Sequence, residues 1–104
     1  MGLLDPIRVA RQTHDALRSS LPSRTNLAEK ADLYRTVKSV LDDLWKATDR
    51  PGTATSATEV RRAVRRLTVD AEYHAGLNNS EGFRDAAEAS GQYDLLERAF
   101  VDAR

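Results

Sequence analysis

The chain contains no cysteine, which removes disulfide frameworks, thiolate metal sites, cysteine nucleophiles and thiol redox chemistry together. Its two histidines show neither H-E-x-x-H nor H-x-x-x-H spacing, and a zinc site needs three or four ligands, so no metal is expected. Five scattered glycines build no G-x-x-x-x-G-K-[ST] or G-x-G-x-x-G phosphate cradle, and G-x-S-x-G is absent too. No cofactor, small-molecule substrate or enzyme activity is indicated. No apolar run approaches the ~20 residues that span a bilayer. The first residues, Met1 to Pro6, lack a basic stretch leading into an apolar one. The expectation is a soluble, cytoplasmic protein with no membrane partner.

An excess of one charge is also missing, because 16 Lys plus Arg balance 16 Asp plus Glu. With 104 residues there is room for one domain, residues 1–104. Leu, Ile, Val and Phe total 22, just above the range of disordered chains, and the balanced charge removes the self-repulsion that accompanies disorder. Alanine contributes 15 of 42 apolar residues, and its high helix propensity and small size predict closely packed helices.

Turn residues cluster at Pro22-Ser23, at 49–53, at 76–80 and at Ser90-Gly91. Four breaks predict five helical segments, and no stretch alternates with period two. The first segment has Asp5 as N-cap, Pro6 at the first helical position and a Leu4/Val9 staple. Its seam is Leu3, Ile7, Ala10, His14, Leu17 and Leu21. The second runs from Leu27 to about Thr48 after a Thr25 or Asn26 cap, and its apolar positions sweep about 200°, which predicts a central helix with more than one neighbour. The third opens with a Ser56/Glu59 capping box, buries Val60, Val64, Leu67, Ala71 and His74, and ends at a left-handed Gly76. A short fourth, capped by Ser80, would turn Phe83, Ala86 and Ala87 inward. Those residues lie about 130° from the Tyr93, Leu96 and Phe100 face, so Gly91 is expected to break the helix. The fold expected is therefore all-α, a compact bundle of about five helices with a central second helix.

Among residues able to carry chemistry, His14 and His74 fall on apolar seams, where a hydrogen-bonded core role is expected. Asp42 and Asp43 diverge by about 100° and read as a solvated face. Arg8 and His14 match the loose R-x(4–6)-H pattern of the HEPN ribonucleases. Six residues of helix set them about 120° apart, and a chain with 13 arginines meets that pattern by chance. Trp45-Lys46-Ala47, with Tyr93 four residues before Glu97, resembles the W-x-G turn and Y-x-x-x-[DE] tail of a family of small secreted helical hairpins. Ala47 replaces the glycine, and Pro22 and Gly76 interrupt the hairpin, so membership is not adopted.

The most distinctive surface is the third segment. Arg61, Arg62, Arg65 and Arg66 fall within six residues, and Arg62, Arg66, Val69 and Tyr73 share an arc of about 60° opposite the seam. Arginine with tyrosine is what protein interfaces enrich. The same arginines could follow a phosphate backbone, although nucleic-acid modules are usually basic overall. Residues 57–67 carry four arginines against one glutamate, and residues 68–104 three arginines against eight acids. Glu81, Asp85 and Glu88 recur as an acidic stripe. Basic and acidic stripes are expected to point outward without meeting in one chain, which would favour head-to-tail association. The functional expectation is a non-catalytic protein-protein interaction or assembly module, self-associating as a homo-oligomer or part of a larger complex. The alternative is a small DNA- or RNA-binding regulator using Arg61, Arg62, Arg65 and Arg66.

Overall fold

Apolar residues recurring every three or four positions give four amphipathic helices in the computed structural model, which describes residues 4–19, 27–48, 57–77 and 81–100. They are α1 (Leu4–Ser19), α2 (Leu27–Ala47), α3 (Ala57–His74) and α4 (Ala86–Phe100). The all-α class is as expected, and among the described residues the helices number four rather than about five. None of them is long and apolar enough to cross a membrane. Expected caps at Thr25, Asn26, Ser56 and Ser80, and the seam residues Leu3 and Leu21, lie outside the described residues.

The periodic seams are the core. Ile7, Ala10, His14 and Leu17 of α1, Val37, Leu41 and Leu44 of α2, and Val60, Val64, Leu67 and Ala71 of α3 are all buried. α4 adds Ala89, Tyr93, Leu96 and Phe100. Val9 of the expected staple is half exposed. The end of α3 follows its glycine: Gly76 has φ +76°, Leu77 N–H donates to Glu72 O at 2.9 Å and Gly76 N–H to Tyr73 O at 3.1 Å. That pair of bonds is a Schellman ending, open to Gly because a Cβ disfavours the left-handed region.

Two expectations are corrected. Gly91 does not break α4, which runs through it. The phase conflict with Phe83 disappears because residues 81–83 are not helical. Asp85 starts α4 instead, its Oδ1 accepting the Glu88 N–H at 2.9 Å, as an N-cap does. Ala86 and Ala87, expected inward, are exposed. The second correction concerns α2, which touches α1 and α3 but, among the described residues, not α4. Helices α1 and α3 are the central pair, each touching all the others. An apolar arc counts only apolar contacts, and α1 reaches α3 and α4 partly through arginine and histidine.

Candidate functional site

The polar interior is built around Asp70, which α3 places at the edge of its apolar seam and whose side chain is wholly buried. An isolated carboxylate there would be prohibitive, so its oxygens must be filled. Oδ2 accepts from His14 Nε2 at 2.7 Å. Arg18 Nη1 donates to both oxygens at 2.6 and 2.7 Å, and the Phe83 amide donates to Oδ1 at 2.6 Å. Burial works to raise the Asp70 carboxyl, yet the bonds from His14, Arg18 and Phe83 outweigh it and hold its pKa at about 2. An ionised carboxylate only accepts, so His14 Nε2 donates to it, and Nδ1 is hydrogen-bonded to the Tyr93 hydroxyl at 2.7 Å. Burial, joined by the Asp15 and Asp70 charges, pushes the Tyr93 phenol up and keeps that hydroxyl protonated.

His74 closes the network at its solvent side. Its Nε2 accepts from Arg18 Nη1 at 3.0 Å. Burial, then the neighbouring Arg18, lowers its pKa against the pull of Asp70. Each polar atom of Asp70 and both ring nitrogens of His14 are thus occupied inside the core, and His14, Asp70 and Tyr93 are at most 1% exposed. This chain of bonds joins α1, α3, α4 and residues 81–83. Among the described residues no three metal-ligating side chains converge.

The outer side of α3 carries the residues singled out from sequence. Arg62, Arg66 and Tyr73 are exposed and Val69 is half-buried. Tyr73 is 47% exposed, and Leu77, past the Schellman ending of α3, is 57% exposed; the seam analysis did not include Leu77. The four arginines do not form one patch. Arg61 and Arg65 lie over the Trp45 ring at 5.5 and 5.6 Å, and Arg61 Nε also donates to Thr48 Oγ1 at 2.8 Å. Arg66 lies over Phe83 at 4.7 Å. Arg62 is the one of the four with no such ring contact among the described residues.

The expectation that basic and acidic stripes stay apart is corrected. Arg66, Val69, Glu81 and Glu88 border one groove. They share it because residues 81–83 are not helical and are held against α3 by Asp70. Glu81, Asp85 and Glu88 are all exposed, but they are not a helical stripe, since Glu81 precedes α4 and Asp85 is its cap.

Sequence reasoning missed Asp70, Arg18 and Arg11. Arg11 Nη1 donates to Asp94 at 2.8 Å and Glu97 at 2.6 Å, its Nη2 to Ser90 Oγ, while Arg8 Nε stands 3.4 Å from Glu97. The available signal was Asp70 itself, seven residues after the inward Ala63 and four before His74. No family model, curated protein or solved structure matches the chain.

Proposed function

We propose that this protein is a non-catalytic α-helical protein-protein interaction or assembly module that docks through the outer side of α3. The observation that supports it is the outward stripe Arg62, Arg66, Val69 and Tyr73, with spacing 4, 3 and 4, and the exposed Leu77 just past the end of α3. Solvent-facing Tyr73 and Leu77 beside arginine form the mixed apolar and cationic surface that a partner chain covers with most gain. Glu81, Asp85 and Glu88 extend the same face with acids able to set orientation. His14, Asp70 and Tyr93 are committed to the interior, which favours a binding role over an enzymatic one.

A second copy is the first partner to test. Light scattering should give a particle heavier than the 11.6 kDa chain, falling to the monomer in Arg62→Glu/Tyr73→Ala. A wild-type monomer at every concentration and salt rejects self-assembly. The alternative, nucleic-acid binding by Arg61, Arg62, Arg65 and Arg66, is supported by four arginines on one helix. It is weakened by the balance of 16 Lys plus Arg against 16 Asp plus Glu, since nucleic-acid modules are usually basic overall. Binding to duplex DNA that falls steeply with salt would favour it.

A further inference from the structure

We propose that the groove between α3 and residues 81–84 binds a small amphipathic monocarboxylate, an alkyl or aryl body carrying one carboxylate. The groove is open to solvent and offers about 370 Å³, near the lower end of the range for ligand pockets, which suits a single acyl or aryl acid. Val69 and Phe83 are the two apolar side chains in its lining. That wall is rigid, because the Phe83 amide is bonded to the buried Asp70 at 2.6 Å and Gly82 lies so close to the Asp70 carboxylate that a Cβ would overlap it. A preformed wall loses little entropy on binding.

Three cations stand around this surface: Arg65, Arg66 and Arg84. None makes an ion pair within 4.0 Å among the described residues. Two are held by aromatic faces, Arg66 over Phe83 at 4.7 Å and Arg65 beside Trp45 at 5.6 Å. Stacking uses the flat face of a guanidinium and leaves its edge N–H donors for an anion. Glu81 and Glu88 also line the groove, so three positive and two negative side chains leave a net +1. A single carboxylate balances that charge, whereas the two glutamates oppose a doubly charged phosphate or a polyanion.

This inference goes beyond the assembly reading: the two surfaces share Arg66, Val69, Glu81 and Glu88, but Arg62 and Tyr73 lie outside the groove lining while Arg65, Phe83 and Arg84 belong to it, so variants can separate them. The test is a ¹H–¹⁵N NMR titration of the full chain with 3-phenylpropionate and with hexanoate, against 3-phenylpropionamide and acetate. Either acid should give saturable shifts at Val69, Gly82, Phe83 and Arg84, and should move the indole signal of Trp45, the one tryptophan, as Arg65 is drawn to the ligand. The acid should bind about tenfold more tightly than the amide, which corresponds to about 1.4 kcal/mol. Arg65→Ala/Arg84→Ala should abolish that preference at unchanged helicity, while Arg62→Glu/Tyr73→Ala keeps it even where assembly is lost. No saturable shift with either acid up to about 20 mM, weaker than the usual range for small ligands, overturns the proposal. So does equal binding of acid and amide, or a shift map centred away from the groove.

Discussion

Helices α2 and α4 flank the same central pair, α1 and α3, but they are attached by different physics. The inward positions of α2 are Val37, Leu41 and Leu44, all fully buried, and the pairs Asp32–Arg35 and Lys38–Asp42 lie within the helix itself. Its polar contacts with α3 include Lys30 Nζ donating to His74 O at 3.2 Å and the Arg61–Thr48 bond at 2.8 Å, near its two ends. On the other flank, α4 also buries Leu96 and Phe100. It is stitched besides by Tyr93 to His14, by Asp94 and Glu97 to Arg11, and through Phe83 to Asp70. Apolar packing is non-directional and tolerates sliding, whereas a buried bond is lost outright when its partner moves. The α4 flank is therefore the more strictly specified of the two, and the groove is built on that flank.

The largest expected effect separates the flanks. Asp70→Ala leaves His14, Arg18 and the Phe83 amide without their acceptor and should cost about 3–5 kcal/mol in urea unfolding. Leu41→Ala should cost about 2–5 kcal/mol through its cavity. The distinction lies in where protection is lost: amide exchange in Asp70→Ala should rise first across 81–100, and in Leu41→Ala across α2. Equal loss everywhere in Asp70→Ala would show that α4 is not tethered separately.

Acid should act on the same flank. Asp70 has a pKa of about 2 in the fold against an ordinary 3.8. Because the folded value is depressed, the associated stability is present above pH about 4 and is lost as pH falls toward 2, by about 2 kcal/mol. His74 is lowered from 6.5. The unfolded chain therefore takes up its proton first, and stability also declines as pH drops below 6.5. Asp70→Asn should flatten the lower limb of the urea-midpoint profile and deepen the decline below 6.5, because the upward pull of Asp70 on His74 is lost with its charge. A lower limb unchanged in Asp70→Asn would remove this carboxyl as its cause.

Two glycines sharpen the contrast further. Gly82→Ala presses a methyl into the Asp70 carboxylate and should cost about 1–3 kcal/mol, as overpacking does. Gly91→Ala meets nothing within 4 Å inside a continuous helix and should raise stability by about 0.5–1 kcal/mol. Opposite signs in thermal unfolding are the expected outcome; a destabilised Gly91→Ala would restore a kink at that position.

The smallest effect is at the rim. Arg11→Ala removes the partly exposed pairs with Asp94 and Glu97 and should cost about 1 kcal/mol or less, with the difference from wild type shrinking in high salt. A loss as large as that of Asp70→Ala would make the surface clamp, rather than the buried carboxylate, the main tether of α4.

Much of the bundle was legible because burial repeats with the helix period. The seams Ile7/Ala10/His14/Leu17 and Val60/Val64/Leu67/Ala71 are inward as their spacing requires, and Gly76 ends α3 because its φ of +76° disfavours other residues. The exposed positions Arg62, Arg66 and Tyr73 follow from the same period. The fourth segment was misread because Phe83 is buried without being helical, and a periodicity argument assigns every buried aromatic to some helix face.

Sequence by itself determined the all-α class, the inward face of each helix and the outward side of α3, since these depend on spacing within one segment. Tertiary structure decided which helices are central, where α4 begins, and that Arg66 shares a groove with Glu81 and Glu88. Those outcomes turn on Asp70, a polar residue whose burial becomes favourable only when donors from α1 and from residues 81–83 arrive together. No property of an isolated segment encodes that condition, because the cost of burying a charge is offset by partners distant in the chain.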